Sequence, residues 1–209
     1  TTPNRLIYTR RIAQPVAASK LTGKYGGFDI GVLSAVDNQD ASFNQTNSPL
    51  YNIVRLQRDL GAQSRMGIAY TDKIDGQRWN RVVGVDGRLV RGIYNLQGQV
   101  ASSFTSSDTG MRRAPLFDVS ASRNGRRFVA RYAMSGISPD FDAQSGFIAR
   151  PGIANISATH RWNFYGKPKA LVELFSPELY VMGRYQYDSF VNGDGSQDRQ
   201  LHLRANTRL

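Results

Sequence analysis

Residues 54–73 read VRLQRDLGAQSRMGIAYTDK, and this stretch decides the fold. Two runs of alternating apolar and polar residues flank a turn at Gly61 and Ala62. The apolar members are Val54, Leu56, Leu60, Met66, Ile68 and Tyr70; the polar members include Arg55, Gln57, Asp59, Arg65 and Thr71. Alternation with a period of two on both sides of a tight turn predicts a β-hairpin with one apolar and one polar face.

The same alternation recurs along most of the chain. Two further hairpins are predicted: 15–24 with 26–36, around a turn at 25–27, and 115–123 with 128–134, around Asn124-Gly125. Other strand patterns cover 80–90, 96–105, 153–164, 170–187 and 200–209. Polar stretches at 37–48, 106–113, 135–150 and 191–198 are predicted loops, with Phe141 and Phe147 as buried anchors of the third. Pro177 is predicted to break its strand, since proline cannot donate to a ladder. We expect about ten or eleven strands of about ten residues.

Composition limits the classes of protein that fit. The 209 residues are 40% hydrophobic and contain no cysteine, which excludes disulfides and cysteine-based metal or redox sites. Net charge is +11, which suggests contact with polyanions such as anionic lipid, lipopolysaccharide or acidic glycan. The arginines are spread singly and no nucleic-acid-binding motif accompanies them, so nucleic acid is not an expected partner. No apolar run is long enough for a transmembrane helix, and the opening residues 1–5 show no signal-peptide pattern.

Two environments produce strands with one apolar and one polar face. In a soluble β-sandwich the apolar face looks inward at a core. In a transmembrane barrel it looks outward at lipid, and the polar face lines a wet interior. Strand lengths near ten residues, long loops alternating with short turns, and aromatic residues near strand ends favour the barrel. These aromatic residues are Tyr25, Phe28, Tyr51, Trp79, Phe117, Trp162, Phe164, Tyr165, Tyr187 and Phe190. The sequence therefore predicts an all-β, antiparallel, up-and-down transmembrane β-barrel or a section of one, with the soluble sandwich as the alternative.

Several stretches, in their order and spacing, resemble one bacterial family. They are residues 6–12, 17–24 with 31–35, 54–71, 80–86, and 137–141 with 146–150. The family is the uncharacterised outer-membrane β-barrel domain that commonly follows a family-9-like carbohydrate-binding module. The resemblance implies a location in the bacterial outer membrane and a link to glycans, and it transfers no catalytic residue. The upstream module and a terminal aromatic residue are missing, so we expect one domain over 1–209 that is a section of a longer chain.

Seven charged residues of the polar runs are the candidate binding site. They are Arg55, Asp59, Asp86, Arg88, Arg127, Arg131 and Arg161. They either form a cationic lumen that contacts anionic solutes or glycans, or they are paired charges that fill a barrel interior.

Catalytic and metal sites are weakly indicated. Asp118, Glu173 and Glu178 could act as a glycosidase pair only if two of them lie within about 5–10 Å. His160 falls on the apolar side near Trp162, and neither it nor His202 belongs to a nucleophile motif. The stretch 192–198 resembles part of a calcium loop but lacks the closing glutamate, so a solvated turn is favoured.

The sequence thus predicts a non-enzymatic protein without cofactor or metal. It would be a pore or membrane platform in the outer membrane, in contact with lipid or lipopolysaccharide and with surface glycans. Association with other envelope proteins through open sheet edges is a further expectation. The alternative is a soluble all-β domain that binds carbohydrate or accompanies a glycoside hydrolase.

Overall fold

The computed structural model describes residues 4–108, 110–168 and 170–209. In this part of the chain, twelve antiparallel strands form one sheet in up-and-down order. The strands are β1 (Pro15–Tyr25), β2 (Phe28–Asp37), β3 (Leu50–Asp59), β4 (Arg65–Asp75), β5 (Arg78–Arg91), β6 (Tyr94–Ser107), β7 (Gly110–Asn124), β8 (Phe128–Ile137), β9 (Ile153–Trp162), β10 (Phe164–Tyr165), β11 (Leu174–Gln186) and β12 (Asp198–Arg208). The prediction of an all-β, antiparallel, up-and-down fold is confirmed: every strand except the two-residue β10 has at least ten residues.

Helical structure is sparse. One α-helix, α1 (Tyr187–Asn192), and two single 3-10 turns at Thr9–Arg11 and Gln39–Ala41 are the helical elements of the described residues. Among those residues no helix has the length and apolar character needed to cross a membrane. The predicted turn at 25–27 is present, with Gly26 and Gly27 at φ values of 57° and 81°. Glycine occupies this left-handed region without steric cost, which suits a two-residue hairpin turn.

The strand ends differ from the prediction in two places. The predicted loop at 106–113 is wrong, because β6 continues to Ser107, which pairs with Gly110 of β7; Thr109 and residues 1–3 lie outside the described part. Residues 135–137 extend β8, so that loop covers 138–152. Ser106 and Ser107 are polar residues at a strand end, whereas Gly136 and Ile137 pair in register with Phe117 and Ile153.

Pro177 does not break its strand. β11 runs through it, and Pro177 pairs with Ala205 of β12. On its other side, β11 pairs with β9 from Glu178 onward and with β10 only up to Phe175. Pro177 therefore occupies the gap between two ladders, where a missing N–H costs no hydrogen bond.

The two ends of the sheet carry different connections. The turn end carries the connections 26–27, 60–64, 92–93 and 125–127 and the segment between β10 and β11. The loop end carries the long connections 38–49, 138–152 and 187–197, together with the short ones between β4 and β5 and between β6 and β7. Ten antiparallel pairings separate β1 from β12, so both edge strands run toward the turn end. β1 and β12 do not pair with each other, and the sheet is open between them.

The sheet has an apolar face and a polar face, defined by alternate residues in register. The middle of the apolar face consists of Ile30, Val32, Val54, Leu56, Met66, Ile68, Val83, Val85, Leu96, Val100, Val119, Met134, Ile156, Val181, Leu201 and Leu203. Ile68 is 50% exposed, Val100 53% and Leu203 76%. These side chains are therefore not the core of the chain.

The core lies on the polar face, near the loop end. Leu6 packs there on apolar side chains of β4 to β7 (Ala69, Val82, Ala101, Ala114 and Leu116), together with Phe141 and Ala143. We call residues 4–12 and 138–150 the covering segments. Phe141 is the buried anchor that the sequence predicted, whereas Phe147 is 47% exposed and that part of the prediction is wrong. Phe147 lies at the outer edge of the covering segments, against the ring of Tyr8.

Leu6→Ala should loosen the covering segments without unfolding the sheet. Leu6 is 3% exposed, and truncating such a side chain costs about 2–4 kcal/mol. The amides of Tyr8 and Phe147, which bond Ser145 and Arg5 carbonyls, should exchange hydrogen faster. Hydrogen exchange measured by mass spectrometry checks this, with exposed Leu203→Ala as the control. Unchanged exchange at both amides would contradict the assignment of the core.

Candidate functional site: the polar face

The polar face carries six of the seven predicted site residues. Arg55 and Asp59 lie on β3, Asp86 and Arg88 on β5, and Arg131 and Arg161 on β8 and β9, all on the same side of the sheet by register. Arg127 is the exception: β8 begins at Phe128, so Arg127 belongs to the exposed turn at 125–127. Arg-Arg at 126–127 prolongs the alternation in the sequence, but the strand has not yet begun there.

Arg55 and Asp86 form the central ion pair of this face. Nη2 of Arg55 donates to Oδ1 of Asp86 at 2.8 Å, and Nη1 donates to Oδ2 of the same carboxylate. The side chain of Arg55 crosses β4 at Gly67, where an added Cβ would lie 2.7 Å from Nη2 and 2.9 Å from a backbone carbonyl. Gly67 therefore leaves room for a bidentate contact between strands that are not neighbours.

Closer to the turn end, the polar face is open to solvent. A cavity of about 570 Å³ is lined there by residues that include Asp59, Ser64, Arg65 and Arg88. Lys24 approaches Asp59 at 3.7 Å, and Nε of Arg88 donates to Asn95 at 3.1 Å. Arg65 pairs in register with Arg88, which places two cations side by side. This half of the face can receive an anionic or hydroxyl-rich solute.

Toward β12 the polar face continues as a row of charges and amides. Nε of Arg184 donates to Asn155 at 3.4 Å, and its Nη1 lies 3.9 Å from Asp198. Arg161 pairs in register with Glu178 of β11. The candidate residues are thus divided between a tightly paired centre and two more open flanks.

At the loop end, side chains of the sheet hold the covering segments through backbone contacts. Gln99 accepts from the Asn4 amide at 2.7 Å and donates to its carbonyl at 3.2 Å. Asn80 accepts from the amide of Gln144 at 3.0 Å and donates to the carbonyl of Asp142 at 3.1 Å. Asn80 and Gln99 are almost fully buried. Sequence reasoning missed these two residues because their polar side chains looked like ordinary lining of a wet face.

One ion pair joins two connections at the loop end. The guanidinium of Arg78 donates to both carboxylate oxygens of Asp108 and holds the pKa of that carboxyl below its usual range. The same guanidinium lies 3.6 Å from the ring centroid of Phe43 in the loop 38–49. The carboxylate of Asp75 accepts from Ser42 and from the amide of Phe43, each at 2.7 Å. The long first loop is therefore fixed to the sheet.

The catalytic alternatives receive no support from the geometry. In the register of the sheet, Asp118 of β7 lies level with Arg184 of β11. Glu178 lies six residues from Arg184 along β11. At about 3.3 Å per residue, the two carboxylates are some 20 Å apart along the strand direction. A glycosidase needs about 5–10 Å between them. Glu173 instead pairs with Arg208 at 3.2 Å.

His160 and the calcium-like loop have structural roles in the fold. Nε2 of His160 lies 2.8 Å from the hydroxyl of Tyr132, and its ring packs edge-on against Trp162 on the apolar face. Residues 187–192 of the last loop form α1, and Gly193 ends the helix at a φ of 80°. Within the described ranges no three acidic, histidine or cysteine residues are grouped as a metal site would require.

Comparisons of the chain with models of known protein families, with curated proteins and with solved structures gave no match. The resemblance to an outer-membrane β-barrel domain therefore stays a prediction.

A double-mutant cycle on Arg55→Gln and Asp86→Asn should show clear coupling. The side chains of this pair are only 23% and 12% exposed, so each single change leaves a partly buried charge without its partner. We expect a coupling free energy of about 1–3 kcal/mol from urea unfolding of the refolded chain. The pair Arg112–Asp140, with exposures of 62% and 59%, is the control and should give less than about 0.5 kcal/mol. Equal coupling in the two cycles would contradict the central role of Arg55.

Proposed function

We propose that this chain forms the wall of a β-barrel in a bacterial outer membrane. Its apolar face contacts lipid, and its polar face encloses a wet interior that the covering segments partly fill. The observation that carries the proposal is the bare apolar face. In a soluble sheet such a face is covered by a second layer, and exposed apolar patches of this extent are rare in soluble monomers. Here the covering segments lie on the other face.

Two bands of aromatic side chains support a membrane position. On the apolar face, Tyr25, Phe28, Tyr94, Phe128, Trp162, Phe164 and Phe175 lie near the turn end, and Trp79, Phe104, Phe117 and Tyr185 lie near the loop end. Between the bands the side chains are mostly aliphatic, with Tyr70 and Tyr132 among them. Transmembrane barrels have this pattern, with an apolar band about 25 Å tall between aromatic girdles. Tyr51 does not belong to the pattern, because it points to the polar face and is buried.

The dimensions agree with this position. Twelve positions of β5 separate Trp79 from Arg91, whose register partner Tyr94 belongs to the turn-end band. This is about 40 Å along the strand, or about 30 Å across the membrane at a tilt of about 40°, close to the thickness of a bilayer's hydrocarbon core. At the loop end, Phe190 of α1 packs against Phe117 and Tyr185 with ring centroids 6.1 and 5.4 Å apart. The helix thereby thickens the aromatic band at one corner.

Arginines at the strand ends fit the two interfaces. Guanidinium carbons lie 4.9 Å from the ring centroid of Phe28 (Arg58), 4.4 Å from Trp79 (Arg81), 5.6 Å from Phe104 (Arg113) and 5.5 Å from Phe128 (Arg123). Such contacts let a cation stay at headgroup level while its stem and the ring cover apolar surface. We infer anionic lipid or lipopolysaccharide as the surrounding partner.

The proposal must account for the unpaired edges of β1 and β12. Both edge strands run toward the turn end, so an antiparallel closure takes an odd number of further strands, from this chain or from another. A membrane leaves no unpaired edge in its apolar interior, which makes this requirement strict. The chain is then a section of a barrel, acting as a pore or membrane platform. A role in glycan binding or uptake rests on the family resemblance and on the open cationic half of the polar face.

The two tryptophans test which face meets lipid. Trp79 and Trp162 are the two tryptophans of the chain and lie on the apolar face at opposite ends. After refolding into phosphatidylcholine vesicles, Trp79→Phe and Trp162→Phe variants each report one end. We expect lipids brominated near the headgroup to quench both tryptophans more strongly than lipids brominated near the chain ends. The absence of quenching by either lipid would show that this face does not meet the bilayer.

A charge in the middle of the apolar face gives an energetic test. Val85 lies between Ile68 and Val100 at mid-height. Val85→Arg should destabilise the chain in vesicles by about 2–4 kcal/mol, as measured by urea unfolding. Ser120→Arg, on the polar face, is the matched control and should change stability by less than about 0.5 kcal/mol. Equal effects of the two variants would favour the soluble alternative.

A further inference from the structure

A groove runs along the apolar face from the turn end toward its middle. Its upper part, of about 760 Å³, is lined by residues that include Leu89, Leu96, Ala121, Ala130 and Tyr132. Its lower part, of about 340 Å³, shares Leu89 and Leu96 and continues past Gly87, Gly98 and Val119. The two parts adjoin at Leu89 and Leu96.

Small residues in register form the floor of this groove. Gly87 pairs with Gly98, which pairs with Val119, so two neighbouring strands lack a side chain at this height. Two residues nearer the turn end, Leu89, Leu96, Ala121 and Tyr132 form the next row. Six residues of β5 separate Arg91 from Val85, a length of about 20 Å. A depression of this length and width fits an extended acyl chain.

Two arginines stand at the top of the groove. Arg91 pairs with Tyr94, and Tyr94 pairs with Arg123, so the three side chains form a row on the apolar face with the tyrosine in the centre. Arg91 and Arg123 are two strands apart, about 10 Å, and their flexible side chains can converge on one anion.

Neither arginine has an acidic partner within the described residues. Arg123 donates one hydrogen bond to the carbonyl of Phe128 at 2.6 Å, which fixes its position above the groove and leaves other N–H groups available. Arg91 is exposed. By contrast, Arg55, Arg78 and Arg81 each contact an aspartate. The groove is thus apolar along its length and cationic at one end.

We propose that this groove binds one phosphate-bearing acyl lipid. Its phosphate lies between Arg91 and Arg123, and one acyl chain lies over Ala121 and Ala130 toward Gly87 and Gly98. Guanidinium groups bind phosphate oxygens through paired, charge-assisted hydrogen bonds, which a zwitterionic headgroup with its own cation satisfies less well. This inference rests on the proposed function, since the groove meets lipid only if the apolar face does.

Competitive quenching measures the preference. The parent protein carries Trp79→Phe, Trp162→Phe and Tyr132→Trp, so that its one tryptophan lines the groove. It is refolded into phosphatidylcholine vesicles that contain either brominated phosphatidylglycerol or brominated phosphatidylcholine at equal mole fraction and ionic strength. We expect phosphatidylglycerol to bind the groove severalfold more strongly than phosphatidylcholine does. The preference is the ratio of phosphatidylglycerol binding to phosphatidylcholine binding at this site. Arg91→Gln and Arg123→Gln should each lower this ratio about fivefold, or to one if the parent ratio is smaller than that.

Two further variants separate the parts of the site. Arg58→Gln removes a cation from the apolar face at the turn end, outside the groove, and should leave the preference unchanged. Ala121→Phe fills the groove floor and should lower the preference although both arginines remain. A parent preference near unity, or one that survives both arginine changes, would overturn the lipid site. Absence of quenching by either brominated lipid would instead overturn the proposed membrane position.

Discussion

Backbone hydrogen bonding in one antiparallel sheet is the constraint on which this structure depends. Between β1 and β12 every strand pairs with its neighbours, so successive side chains must point to opposite faces. The sequence supplies aliphatic side chains to one set of positions and polar ones to the other, over eleven long strands. A single sheet cannot bury both sets. The chain places its covering segments on the polar face, which leaves lipid as the proposed cover for the other.

The polar face has two halves with different properties. Near the loop end, alanines and Gly84 leave room for Leu6, whose Cδ1 would lie 2.5 Å from an added Cβ at position 84. Asn80 and Gln99 then satisfy backbone groups of the covering segments, which removes the cost of burying them. Near the turn end the face keeps Arg65 and Arg88 in solvent. In the proposed barrel, the interior is therefore cationic and open at the turn end, whereas the covering segments fill it at the loop end.

The fold was readable from the sequence because its signals are local. Alternation in 54–71, the glycine pair 26–27 and Asn124-Gly125 each specify a hairpin from neighbouring residues alone. The errors arose where a residue's meaning depends on distant strands. Pro177 is harmless only because two ladders end beside it, and residues 106–107 and 110–113 form strand because β6 and β7 pair with each other there. Asn80 and Gln99 could not be recognised as site residues, since the backbone groups that they hold in the covering segments are 62 to 95 positions away. Gly67 could not be recognised either, since its role depends on the side chain of Arg55, which crosses its strand.

The proposed membrane setting also accounts for the net charge of +11 without a nucleic-acid partner. In the middle of the sheet the central guanidinium, that of Arg55, is matched by a carboxylate. On the apolar face, Arg58, Arg113 and Arg123 lie at strand ends on aromatic rings rather than against acids. In a soluble domain, cations at these strand ends would add little stability. In a membrane barrel, anionic lipid headgroups lie at the same level as these strand ends and act as their counterions. These apolar-face arginines are thus located where two rows of lipid phosphates would neutralise them.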